Sequence, residues 1–150
     1  MSTSGLPDWP WAGLPTEALP TAERLILDAM RAWRTASAPL AAMRILLAAE
    51  DAAAAAPPLD ALLRAAAIET GCPLCPQVRP QEAALLLACA LAQRGARSEA
   101  LAAMLRLLPL SSAYAAMPPA IHLGAALRRA GLLLRHPIRE AMRPRPAARG

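Results

Sequence analysis

At 150 residues the chain is the size of one domain, long enough to bury about 70% of the surface its unfolded form exposes. Alanine and leucine dominate, Phe is absent, Tyr occurs once and 16 prolines punctuate the sequence, so there is little to build strands from and the expected class is all-α. All 16 basic residues are Arg, and the net charge of +5 is uneven: residues 1–127 hold nine Arg against ten acidic residues, and residues 128–150 hold seven Arg against Glu140 alone.

In chain order, residues 1–20 carry Pro7, Pro10, Pro15 and Pro20, a spacing that forbids a regular helix, with Trp9 and Trp11 among them. No basic segment precedes an apolar run, so a signal peptide is not expected. The segment reads as an extended arm pinned to a helical body by its indoles; the alternative makes residues 8–11 a docking motif. A first helix is predicted from Thr21 to about Thr35, with Ala22, Leu25, Ile26, Ala29 and Trp33 on one face and Arg24, Asp28, Arg31 and Arg34 on the other. A second starts near Pro39 and presents Leu40, Met43 and Leu47. Pro57 and Pro58 break the chain, and a third helix follows over 59–70, with Leu59, Leu62, Leu63 and Ala66 inward and Gly71 as its stop.

The loop after it contains Cys72 and Cys75 in a C-x-x-C, the spacing of half a zinc site or of a redox dithiol. Zinc is a possible cofactor if Cys89, His122 or His136 completes the coordination. Together with Glu69 upstream, the motif resembles the C-x-x-C of peroxidase-assisting proteins with the alkylhydroperoxidase D fold. That family carries a proton-handling His on a helix after the second Cys, whereas here Arg79 lies in that region and Pro73 and Pro76 make the segment a turn. Reduced, partly buried structural cysteines are the plainer reading.

Residues 79–108 are expected to form a helical hairpin: one helix over 82–94 opened by Pro80 and Glu82, Gly95 at the turn, and a second over 98–108 capped by Ser98. Leu85, Leu86, Leu87, Cys89 and Leu91 leave the first helix almost no polar face, which makes it central. Leu87, Ala88, Leu91, Gly95, Glu99 and Ala100 resemble a tetratricopeptide-type hairpin, over about 30 residues. Ala84 departs from that pattern where an aromatic is usual, and Leu107 where a small residue is. The resemblance implies a protein-binding role.

From Leu107 to Leu127 there is no charge, but Pro109, Pro118 and Pro119 argue against a membrane span. A short helical turn near Ala113 and a helix over 119–135 are expected. A shift of about 60 residues lays Leu25, Ile26 and Leu27 over Leu85, Leu86 and Leu87, and Pro57 and Pro58 near Pro118 and Pro119, which suggests two three-helix units, 21–71 and 80–136. Two such units would stack as a solenoid-like array with a groove.

Beyond 136 lies a basic tail. Arg128, Arg129, Arg135, Arg139, Arg143 and Arg145 could touch nucleic acid, although no aromatics are interleaved to stack on bases, and a solvated terminus is preferred. No glycine-rich phosphate loop or triad spacing supports catalysis. The expected function is therefore a cytoplasmic adaptor, assembly factor or small chaperone, binding a helix or extended segment of another protein. Leu87, Leu91, Met104, Leu110, Tyr114 and Met117 are the expected groove residues.

Overall fold

A computed structural model describes residues 9–137 and 139. Its body is α1 (Thr21–Thr35), α2 (Pro39–Ala48), α3 (Ala56–Ala66), α4 (Pro80–Gln93), α5 (Arg97–Leu107) and α6 (Leu110–Arg129), with 3-10 turns at Thr16–Ala18 and Ala53–Ala55. Among the described residues there is no strand; an isolated bridge joins Pro15 to Gln77. The class is all-α, as composition requires.

Prolines open helices here as much as they separate them. Pro39 and Pro80 are the first residues of α2 and α4. Pro57 and Pro58 stand in the first turn of α3, where a missing N–H removes no intrahelical bond, so α3 begins before the expected residue 59. It also ends early. Ala67 adopts a left-handed φ of 51°, and Gly71 is not its stop.

Helices α4 and α6 end in the same way. Gly95, at φ 79°, donates its N–H to Ala92 O at 3.1 Å while Ala96 reaches back to Leu91 O at 3.0 Å; Gly131 and Leu132 repeat this pairing with Arg128 O and Leu127 O. Both are Schellman closures, which require the positive φ that glycine adopts freely. At the other end of α5 the cap is Ala96 with no side-chain bond, not Ser98.

The largest departure from expectation is α6, which runs unbroken through Pro118 and Pro119 instead of starting at 119, and stops at Arg129 instead of 135. An interior proline costs a hydrogen bond and a clash with the carbonyl four residues back. Here the carbonyls deprived of donors belong to Tyr114 and Ala115; both residues and Pro118 are exposed and Pro119 is half-buried, a position where solvent can serve an unpaired carbonyl.

The inner face of α6, lined by Ala113, Ala116, Ala120, Leu123, Gly124 and Leu127, is small enough to let it lie against α3, α4 and α5 together. A Cβ on Gly124 would stand 2.8 Å from Gln93 Cα, so the α4–α6 approach depends on that glycine. Residues 82–93 of α4 are buried without exception, which makes it the central helix. Each fully buried leucine there contributes about 1.5–3 kcal/mol. Helix α1 packs chiefly on α2, while α3 makes its main contact with α6, across the division between the two expected units. No helix among the described residues is long and apolar enough to cross a membrane.

The N-terminal arm lies on this body. Trp11 is buried, Gly13 N–H donates to Val78 O at 3.0 Å, Val78 N–H to Leu14 O at 2.9 Å, and Thr16 N–H to Pro76 O at 2.9 Å. The half-buried ring of Trp9 carries the Arg106 guanidinium 5.7 Å from its centre. Trp11 is thus a packing residue and is not available as a docking indole.

Candidate functional site

Two buried polar knots decide which surfaces are left for function. The first joins α1 to α4. Arg31 follows the fully buried Leu27 by one helical turn, so it points into the interior, and not to the polar face expected of it. Its Nε and Nη2 meet Glu82 Oε2 and Oε1 at 2.8 and 2.9 Å, a two-pronged pair with both side chains at 1% exposure or less. The remaining donors hold the cysteine loop: Nη1 to Cys75 O at 2.9 Å and Nη2 to Gln77 O at 2.8 Å.

Glu82 is the third residue of α4 and also accepts the N–H of Arg79 at 2.8 Å and of Gly71 at 3.1 Å. Burial alone would raise its pKa, but the bonds from Arg31, Arg79 and Gly71 outweigh burial and hold the carboxyl below its ordinary range. Arg31 is held further up, chiefly by its hydrogen bond to Glu82. Gly71 is needed where it is, since a Cβ there would meet Cys75 Cβ at 3.2 Å and Arg31 Nη2 at 3.3 Å.

This knot frames the thiols. Cys72 is exposed and Cys75 half-buried, both outside any helix, and all three cysteines are unpaired. Hydrogen bonding with the backbone of Gln77, followed by that with the Arg79 side chain, lowers the Cys75 pKa. Cys89 lies wholly inside α4, where burial pushes its pKa up to about 12. His122 is exposed on α6 and His136 is half-buried beyond it. Among the described residues no three of His, Cys, Asp and Glu gather as metal ligands, so the pair Cys72 and Cys75 has no completing partners there.

The second knot centres on Gln93, the last residue of α4. Its Nε2 donates to Gly124 O at 3.1 Å and Leu132 O at 3.0 Å, and its Oε1 accepts the Leu134 N–H at 2.7 Å. Arg94 reaches Leu134 O at 2.9 Å, and Glu23 accepts the Arg135 N–H at 2.8 Å. The stretch after Gly131 is therefore strapped across the ends of α4 and α1, and does not continue α6. Beside this strap opens a cleft of about 290 Å³, lined by Ala92, Gln93, Gly95, Ile121 and Ala125 together with Arg97, Arg128 and Arg129. Arg128 Nη2 donates to Gln93 O at 2.7 Å.

The expected groove residues separate into two sets. Leu87 and Met104 have no exposure and Leu91 has 4%, so these three are core and are withdrawn as partner contacts. Leu87 and Leu91 lie on a helix buried on every side, and Met104 lies on the inner face of α5. In contrast, Leu110 is 63% and Tyr114 57% exposed, and Met117 is half-buried. With Ile121, half-buried like Met117 and packed like it against the core, they form an apolar line along α6 beside its buried face, and Leu105 of α5 is exposed as well.

Of the expected basic tail, Arg128 and Arg129 end α6, Arg135 and Arg139 are exposed beyond it, and Arg143 and Arg145 lie outside the described residues. Sequence reasoning missed Ile121 and Arg97. Ile121 was legible from its spacing, i+4 from Met117; Arg97 is an ordinary helix-start residue until the fold sets it beside the end of α6. Compared with known proteins, the chain matches no family model, no curated protein and no solved structure at a significant level.

Proposed function

We propose that the protein is an interaction module, an adaptor, assembly factor or small chaperone, which binds a segment of another protein along α6. The observation that carries the reading is the line Leu110, Tyr114, Met117 and Ile121, apolar side chains at helical spacing along α6, of which Leu110 and Tyr114 are exposed while Met117 and Ile121 are half-buried against the core. Contiguous exposed apolar surface on a single domain marks a contact site, and a helix face of this kind suits a partner's amphipathic helix or extended strand. The α4–α5 hairpin, with its resemblance to tetratricopeptide repeats, is compatible with that role. Binding rather than catalysis is the reading, and a reducing, cytoplasmic setting suits three unpaired thiols.

The test is photo-crosslinking in the organism of origin, with benzoylphenylalanine in place of Tyr114 and, as control, in place of the exposed Ala41 on α2. A discrete protein adduct is expected at position 114 and not at 41. It should vanish when Leu110 is changed to Asp, while the helical circular dichroism is unchanged. No position-specific adduct would overturn the reading.

A further inference from the structure

We infer that the cleft at the C-terminal end of α6 is an anion subsite of this partner surface, and that it receives carboxylates at one end of an otherwise apolar partner segment. The inference rests on reading the apolar line along α6 as the docking surface, and it adds the chemistry of the partner. Leu110, Tyr114, Met117, Ile121, Ala125 and Arg128 recur at intervals of three or four residues, so one line along α6 is apolar for most of its length and cationic at its end. Ile121 and Ala125 belong both to that line and to the cleft wall. From Leu110 to Arg128 the line is about 27 Å long, the reach of a five-turn helix or a shorter extended segment.

Three arginines from two elements line the cleft: Arg97 at the start of α5, and Arg128 and Arg129 at the end of α6. Among the described residues no carboxylate lies within ion-pair distance of any of them. The bond from Arg128 to Gln93 O uses one of its five donors and orients the planar fork, leaving the others free for a ligand. Such forks match carboxylates two-pronged, which a point charge does not.

The cleft is not furnished for a fully hydrated inorganic ion, since Ala92, Ile121 and Ala125 form its apolar part. It is concave, unlike a lipid surface, and has no aromatic lining for a base to stack on. Carboxylates carried on an apolar chain satisfy both the cations and the stripe.

The test is a titration of the full-length, 15N-labelled protein with two peptides. One is acetyl-Leu-Ala-Ala-Leu-Leu-Glu-Glu with a free C-terminus, and the other is the same peptide with Gln-Gln-amide at its end. The acidic peptide is expected to move the Nε–Hε signals of Arg97, Arg128 and Arg129 and the Tyr114 amide. Its midpoint should lie about ten-fold below that of the neutral peptide, the worth of one charge-assisted pair. The double variant R97Q/R129Q should erase that difference without changing thermal unfolding.

Equal midpoints for the two peptides, or no response to either, would overturn the inference. So would an acidic preference that survives R97Q/R129Q, or tighter binding through the same arginines to phosphatidylserine vesicles or to oligothymidine. If the neutral peptide moves Tyr114 as strongly as the acidic one, the docking surface stands and the anion subsite falls. If the acidic peptide moves the arginines while Tyr114 stays still, the subsite stands and the docking surface falls.

Discussion

Replacing Glu82 with Gln tests the joint between α1, α4 and the cysteine loop. The carboxylate accepts four hydrogen bonds, two per oxygen, from Arg31 Nε, Arg31 Nη2, Gly71 N–H and Arg79 N–H, at 2.8 to 3.1 Å. An amide of the same shape sets an NH₂ against two of those donors, whichever way it is turned, and leaves the Arg31 charge buried without its counter-charge. Removing one partner of a buried pair costs about 3–5 kcal/mol, against the ~5–15 kcal/mol that holds a domain together. For a chain of this size that lowers the thermal midpoint by about 6–20 °C.

The pH dependence has a definite sign. The folded pKa of Glu82 is depressed below its ordinary value of 4.5, so its stabilisation is present above that value and is lost as pH falls through the lower, folded one. The gap between wild type and E82Q should therefore be widest near neutrality and shrink under acid. Thermal unfolding followed by circular dichroism from pH 7 to about pH 3 measures both effects. A variant within about 0.5 kcal/mol of wild type at pH 7, the scale of a neutral surface change, would refute the assignment. A gap unchanged by acid would refute its electrostatic basis.

Other outcomes follow from the same packing. Gly124→Ala places a Cβ 2.8 Å from Gln93 Cα, a backbone contact that cannot rotate away, so urea unfolding should show a loss of about 1–3 kcal/mol. Ala67→Gly relieves the left-handed φ of 51°, a strain of about 1–2 kcal/mol, part of which is offset by the greater freedom of glycine in the unfolded chain. A small rise in the thermal midpoint by calorimetry is expected, and a fall would contradict the helix end described. Iodoacetamide at pH 7, with peptide mapping, should label Cys75 in the native protein but Cys89 only in denaturant, because the first pKa is lowered by Gln77 and Arg79 and the second is pushed up to about 12 by burial. Native labelling of Cys89 would remove it from the core.

Much of the framework was written in local chemistry. Composition alone determined the helical class, because a chain without Phe and dense in Ala and Leu offers little to a sheet. The bounds of α1, the Pro39 start, the Gly95 turn and the unbroken apolar run of α4 could each be read from a few adjacent residues, although α4 opens at Pro80, ahead of the expected Glu82. What misled was treating every proline pair as a break. Pro57–Pro58 and Pro118–Pro119 look alike in sequence and are alike in exposure, yet one pair opens α3 and the other lies within α6, so the local pattern does not distinguish them.

Tertiary structure alone decided the rest. Arg31 and Glu82 stand 51 residues apart, and only the packing of α1 on α4 makes a buried pair of them. Leu87, Leu91 and Met104 were indistinguishable from surface anchors until neighbouring helices covered them, whereas Leu110 and Tyr114 stayed uncovered. Arg97 and Arg129 became neighbours across one cleft by the same route. Helical periodicity states which residues share a face, but whether that face meets another helix or water depends on contacts between distant parts of the chain, about which a local pattern carries no information.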